Sequence, residues 1–368
     1  MLKLIRIQSF KTLLDATFNL SSLNLLSGLN GMGKSSLIQS LLLLRQSHER
    51  RVLQNRGLLL KGDYINLGIG QDILAAQAEA DLIEFNLEWQ SHGDVKFAFD
   101  YDQSSDLQPL KDGKTIIYPE NVSLFNGNFQ YLSAERIGPR NQYDLSDFSL
   151  RGLNSLGKHG EYTVQYIAEY GTEPIAIDAM RHEFASSSTF SENLNAWMSE
   201  ITPGVRVRTS IQHQFNSAIL AYAFEQGKEL TSDFKPQNVG FGLTYALPVV
   251  TTLLRARRGD LVLIENPESH LHPAGQSALG RMCALVAANG VQLILETHSD
   301  HFLNGIRVAI KLKLISHEQV RIFFLERSKE NSSHASIVHN PNIDSQGRID
   351  YWPNGFFDEW DKCLEQLL

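Results

Sequence analysis

Eight residues, Gly28-Leu29-Asn30-Gly31-Met32-Gly33-Lys34-Ser35, restrict the fold of this chain more than any other stretch. They fit GxxxxGKS in full and stand between an apolar strand-like run, "LNLLSG", and a helix-like run, "GKSSLIQSLLLLRQSHERR". A strand that passes through glycines straight into a helix is the setting that makes this spacing a phosphate-binding loop. Gly28, Gly31 and Gly33 let consecutive N–H groups turn inward, and the helix N-terminus adds positive potential. In such a loop Lys34 reaches the β- and γ-phosphates of a nucleotide and Ser35 ligates Mg²⁺. A glycine-rich turn without a ligand is the bland alternative, and the complete match in this context disfavours it.

The runs on either side set the fold class. Before the loop, "LKLIRIQSF" (2–10), "DATFNL" (15–20) and "LNLLSG" (23–28) read as strands, so a β portion opens onto it. The helix after the loop is apolar nearly all round until Leu44 and polar beyond, which predicts a buried helix emerging at the surface. From 240 to 325 the pattern alternates: helix "LTYALPVVTTLLRARR", strand "DLVLIE", helix "GQSALGRMCALVAANG", strand "VQLILET", helix "DHFLNGIRVAIKLKL", strand "VRIFFLE". Apolar strands separated by helices of this length indicate a largely parallel sheet flanked by helices.

Between about 60 and 235, β-like "DLIEFNLEW" and "VKFAFDYD", a helix near "NLNAWMSEI", and polar connectors "DQSSDLQPLKDGK" and "FASSSTFSENLN" read as an inserted α+β lobe with mobile loops. The expectation is an α/β protein with an N-terminal antiparallel β portion. It divides as 1–75, an inserted lobe 76–235, a second lobe 236–330 and an appended segment 331–368. A chain of 368 residues is long enough for such a division. No repeat and no sustained heptads are visible.

Three further pieces carry chemistry: "NVGFGLTYALP" (238–248), a glycine turn before a helix; "LVLIENPESHLHP" (261–273), a strand ending in acids; and "QLILETHSDHFL" (292–303), a strand ending in Thr297 and His298. In kind and order they resemble the motifs of ABC-type ATPases. The chain is similar to the RecF-like and SMC-like branch, and within it to ATPases related to the OLD family of bacterial defence nucleases. The usual pattern there is a GpNGxGKSS loop, a signature turn, "DEPExHLHP" and "THS". "YLSAERIGPRNQY" (131–143) and "DSQGRIDYWPNGFFDEW" (344–360) also resemble an AAA subgroup with a C-terminal WPxGFFD domain of unknown function.

The resemblance implies an ABC-type ATPase head that binds ATP and Mg²⁺ and forms a homodimer or higher oligomer through ATP. It also implies a partner effector encoded nearby, a nuclease or toxin, in anti-phage defence, since no acidic nuclease domain of the OLD kind follows the head in this sequence. Carried over residue by residue, the loop Gly28, Asn30, Gly31, Gly33, Lys34, Ser35 and Ser36 holds the phosphates. Glu265 takes the Walker B place and, with Ser35, the Mg²⁺. His298 takes the switch-histidine place at the γ-phosphate. Gly240, Gly242 and Thr244 take the signature place, facing nucleotide on another subunit, and Ser269 to His272 the loop that meets its counterpart. Gln71 in "YINLGIGQDI" is the Q-loop candidate; Gln39 reads as packing, and a glutamine in a turn is often only solvated.

One position departs from the pattern. The residue after the Walker B acid is ordinarily the glutamate that polarises the attacking water, and here it is Asn266. An amide orients water but cannot take its proton. Three outcomes stay open: slow hydrolysis in an ATP-held switch, Glu268 as substitute base, or Glu265 in both roles.

The remaining features have blander accounts. His270 and His272 stand at i, i+2 without a third ligand, which favours a structural role over a metal. His298, Asp300 and His301 need no zinc either, and no GxSxG elbow supports a hydrolase triad. The clusters "HERR" (48–51) and "RARR" (255–258) lie at helix ends, where basic residues serve terminal carbonyls or solvent. Arg136 and Arg140 are better functional candidates, because Gly138-Pro139 sets a turn between them. Trp352, Phe356 and Phe357 either anchor the tail or form a docking surface.

A net charge of -8 argues against a surface that coats nucleic acid, although a local contact stays possible. Two cysteines, Cys283 and Cys363, suit a reducing compartment. The N-terminus reads as a strand rather than a leader, and no run is long enough for a membrane span, so the expected location is cytoplasmic. The competing functions are a DNA-stimulated repair or recombination ATPase and a nucleotide-bound scaffold without turnover.

Overall fold

In "LKLIRIQSF" the side chains of Ile5 and Ile7 point inward, and a slip at Ser9, whose φ is +58°, brings Phe10 inside as well. That strand, β1 (Leu2–Phe10), pairs antiparallel with β2 (Leu13–Asn19) on one side and with β5 (Leu82–Trp89) on the other; β6 (His92–Asp100) continues the sheet. The computed structural model describes residues 1–328 and 335–367. These fall into two compact units, the first made of 1–126, 320–343 and the residues from 349 on, the second of 127–319 and 344–348.

In the first unit, β3 (Leu23–Gly28) is buried throughout and pairs parallel with β15 (Val320–Arg327), which pairs antiparallel with β16 (Ser336–His339). From β3 the chain enters α1 (Lys34–Glu49). Leu37, Ile38 and Leu41 to Leu44 are fully buried, each contributing about 1.5–3 kcal/mol relative to exposure. A short ladder joins β4 (Gly57–Leu59) to β7 (Leu107–Pro109). The tail ends in α7 (Glu359–Leu367). Just before it, Phe356 is fully buried against Phe324 of β15, ring centroids 5.3 Å apart, while Trp352 is 46% exposed.

In the second unit, β8 (Phe129–Leu132), β13 (Leu261–Glu265) and β14 (Gln292–Glu296) form a parallel run with β13 in the middle. Its helices are α4 (Phe241–Arg255), α5 (Pro273–Ala288) and α6 (Asp300–Lys311). The lobe between β8 and α4 is an antiparallel group, β9 (Tyr143–Asp144), β11 (Ser217–Gln226), β10 (Val205–Gln212) and β12 (Glu229–Leu230). Helices α2 (Thr163–Tyr170) and α3 (Phe190–Ile201) pack on it. The α/β class with an antiparallel N-terminal sheet is therefore as expected.

Three expectations are corrected. Helix α1 does emerge, but only from His48 on rather than after Leu44, because Arg45, Gln46 and Ser47 are buried and each is satisfied. Arg45 donates to the carbonyls of Leu124 and Asn126 at 2.9 and 2.6 Å and to Glu49, Gln46 bridges Leu59 and Ile65, and Ser47 bridges Leu43 and Leu59. The division also moves from 75 to 126, because β5 pairs with β1, and β8, inside the expected insertion, belongs to the parallel sheet. The polar connector 102–114 contains β7, and "FASSSTFSENLN" runs into α3. Among the described residues no helix is long and apolar enough to cross a membrane.

Candidate functional site

The phosphate-loop residues are gathered in the first unit. At Gly28 φ is +138°, and a Cβ there would lie 2.2 Å from the carbonyl oxygen of Leu325 across the β3–β15 ladder, so only glycine fits. Gly31 and Gly33 turn left-handed, with open space around Gly31. Gly33 is the N-cap of α1 and brings no side-chain cap, and the first helical turn holds no acid. The buried Lys34 ammonium donates to the carbonyls of Gly28 and Leu29, both at 2.8 Å, which stations it inside the loop.

Asn30 is exposed, Ser35 half-buried, and the Ser36 N–H closes on Gly33 O at 3.0 Å. This uncapped, acid-free helix start with a lysine in its loop fits a phosphate chain. Within this loop the Ser35 hydroxyl is a hard oxygen of the kind Mg²⁺ takes together with phosphates and water. Among the described residues no group of three or more His, Cys, Asp or Glu side chains could hold a metal ion without such help.

The acids are gathered in the second unit, at the end of β13. The Glu265 carboxylate accepts from the Tyr131 hydroxyl at 3.1 Å and the Ala134 N–H at 3.2 Å, both supplied by β8 and the turn after it. Asn266 takes φ +45°, donates its N–H to Glu296 O at 2.8 Å, and has a buried Oδ1 without a hydrogen-bond partner. Glu268 is buried, and its Oε1 accepts the His298 N–H at 2.8 Å. Its buried Oε2 makes no well-formed hydrogen bond. Burial raises the Glu268 pKa, while the His298 N–H, the Thr297 hydroxyl and Arg136 pull it back. A carboxylate with an unspent acceptor and a raised pKa has the properties of a proton acceptor.

The signature-place residues lie at the start of α4. Gly240 is its exposed N-cap with open space around it. Gly242 packs so closely that a Cβ would lie 2.5 Å from the His270 carbonyl oxygen. Thr244 is buried with its hydroxyl near that of Tyr222, and Pro248, four residues on, has no N–H for the Thr244 carbonyl. His270 sets its ring against Tyr245 at 4.7 Å. His272 caps α5 by accepting the Ala274 N–H at 3.3 Å, the kind of structural role its spacing suggests. Gln276 links the Leu271 carbonyl to Ser299, the N-cap of α6, so the loop after β13 is tied to the segment carrying His298.

Gln71 is not joined to this machinery: it is exposed in a short turn of the first unit, its N–H on Gln103 O. Gln39 accepts from Lys11 at 2.8 Å. Arg140 is exposed. Tyr131, by contrast, escapes sequence reasoning as a partner of Glu265, and Arg136 is buried against the backbone of Glu265 and Asn266 rather than aimed outward. The Gly138-Pro139 turn marks Arg136 as a candidate in the sequence, whereas Tyr131 is signalled there only by its place at the start of "YLSAERIGPRNQY".

A family described as "AAA domain, putative AbiEii toxin, Type IV TA system" matches residues 85–304, a range that includes Gly240, Glu265, Glu268 and His298. A second, "Protein of unknown function (DUF3696)", matches residues 315–367. No curated protein matches the chain. Among solved structures, an Smc head bound to the C-terminal winged-helix domain of ScpA is similar at 12% identity, with 93% of this chain and 98% of that one covered and a TM-score of 0.52. An Smc head with an extended coiled coil, bound to the C-terminal domain of ScpA from Pyrococcus furiosus, is similar at 12% identity, with 100% and 99% covered and a TM-score of 0.51. These likenesses establish an SMC-head fold, and with well over half of its length matched by the AAA profile, the chain belongs to the family described as "AAA domain, putative AbiEii toxin, Type IV TA system".

Proposed function

We propose that the protein is a slow ATPase that uses ATP and Mg²⁺ to hold an assembly together and so controls a partner effector in anti-phage defence. The observation that carries the slow turnover lies at the end of β13. An amide, Asn266, follows the acid, and the next acid in the sequence, Glu268, is fixed through one oxygen to the backbone of His298. In this scheme Lys34 and the glycine loop bind the phosphates, Ser35 and Glu265 hold Mg²⁺, and His298 contacts the γ-phosphate. Gly240 and the turn it shares with Gly242 belong to the surface that meets another copy, whereas Thr244, buried with its hydroxyl beside that of Tyr222, does not reach that surface as the resemblance implied. Asn266 orients water but cannot take its proton, which passes instead to Glu268, two residues beyond the place the family pattern gives the base and held through one oxygen to the His298 N–H.

The family description, which names a toxin of a type IV toxin–antitoxin system, supports a role beside an effector. The solved Smc heads with bound ScpA domains support a fold that engages a protein partner. The test is to purify the protein with the products of its neighbouring genes and determine the mass of the complex with and without MgATP. We expect ATP to raise the mass and Lys34→Ala to abolish the increase. A Lys34→Ala protein that assembles normally would make the chain a scaffold, and turnover strongly stimulated by duplex DNA would move it to repair or recombination.

A further inference from the structure

Arg136 is buried at 3% exposure, an unusual place for a guanidinium that meets no carboxylate face to face. Its Nη1 donates to the Glu265 carbonyl at 2.8 Å and to Ser133 O at 3.2 Å, and its Nη2 donates to the Asn266 carbonyl at 2.6 Å. Its Nε is buried without a partner, as are Asn266 Oδ1 and Glu268 Oε2, so three unspent polar atoms belong to residues of one cluster. The guanidinium lies over the Tyr245 ring, 5.9 Å from its centroid, and that ring meets the ring of His270. Tyr245 is in the first turns of α4, whose Gly242 abuts the His270 carbonyl. One side chain thus grips the turn carrying Glu265 and Asn266 and rests on the helix carrying the signature place.

We infer that Arg136 is a positioning residue: its two-pronged grip on the Glu265 and Asn266 carbonyls sets the left-handed turn that aims both side chains, and its seat on Tyr245 ties that setting to the start of α4. A planar fork can bridge two carbonyls in fixed geometry, whereas a lysine ammonium is a single point donor. Arg136 comes from the turn after β8, outside the phosphate loop and the β13 turn, yet two of its three bonds go to the carbonyls of Glu265 and Asn266. The inference rests on the roles given above to Glu265, Asn266 and Glu268.

The test compares wild type, Arg136→Lys, Arg136→Gln, Tyr245→Leu and the Arg136→Gln/Tyr245→Leu double variant. MgATP turnover, nucleotide affinity and amide hydrogen exchange over segments 261–271 and 239–247 are measured for each. Arg136→Gln should lower kcat about 10- to 100-fold, the usual scale for outer residues that orient a site, with nucleotide affinity within about threefold of wild type. Exchange should rise in both segments. Arg136→Lys should recover only part of kcat, and the double variant should lose less than the product of the single losses, as coupled residues do. Wild-type kcat with unchanged exchange in Arg136→Gln overturns the inference, as do multiplicative losses in the double variant. If Arg136→Gln does not fold, Arg136→Lys carries the same readings. A wild-type turnover unaffected by Lys34→Ala would instead overturn the underlying ATPase reading, and the exchange pattern would still decide whether Arg136 couples the two segments.

Discussion

Asn266 has a second reason to be an asparagine. At φ +45° it occupies the left-handed region, which asparagine tolerates better than most residues and which costs others about 1–2 kcal/mol. Sequence reasoning sees only the missing carboxylate; the backbone demand becomes visible once the turn is built. Asn266→Glu therefore carries two expected effects. Stability should fall by roughly 1–2 kcal/mol in denaturant unfolding. If the amide limits hydrolysis, turnover should rise at least ~10-fold, at the modest end of what a general base contributes, and the ATP-held assembly should loosen. Asn266→Asp, better suited to the turn, separates strain from chemistry; unchanged turnover in both would leave Asn266 with a backbone role alone.

Glu268 gives a pH prediction. Burial raises its pKa, and a base works only when ionised, so kcat should climb with pH through an acid limb lying above the ~4.3 of an exposed glutamate. Glu268→Gln keeps an oxygen for the His298 N–H and should erase both that limb and most of the turnover. The stability counterpart has a definite sign. The folded state favours the protonated carboxyl, so this group's contribution is fully present below its unfolded pKa and is lost as pH rises through the folded one. Glu268→Gln should flatten that dependence in thermal melts, and a surviving acid limb would assign the proton to another group.

At the scale of elements, legibility follows the range of the interactions. The phosphate loop and the helices from α4 to α6 are readable because turn chemistry and apolar period are local properties of a few consecutive residues. Strand β8 is not, since only its pairing with β13, roughly 130 residues away in the chain, makes "FQYL" a core strand and delivers Tyr131, Ala134 and Arg136 to the acids. The polar end of α1 misleads in the same way. Arg45, Gln46 and Ser47 look solvated by composition but are consumed by carbonyls and amides of distant segments. Arg45→Ala should leave the buried carbonyls of Leu124 and Asn126 unpaired and lower unfolding stability by about 2–4 kcal/mol. A loss below ~0.5 kcal/mol, the usual size for surface changes, would mean the helix end is solvated after all.

At the scale of the whole molecule, the sequence predicts the α/β class and the order of the motifs but places the boundaries poorly. The cause is that β5 and β6 look like the start of an insertion until they are seen to extend the sheet begun by β1. The family match covers residues 85–304 and so does not include the phosphate loop. The loop's assignment stands on its own glycines, its lysine and the uncapped helix behind them.

The pairing of Gly28 with Leu325 also has a consequence for synthesis. The strand that ends in the phosphate loop finds its parallel neighbour only after roughly three hundred further residues have been added. A ribosome-bound chain stopped anywhere in its first three hundred residues has the loop's sequence without the ladder that braces it. Interrupted translation would then yield fragments with a poorly formed nucleotide cradle. The braced form of the phosphate loop is thus a property of chains that have been translated past β15.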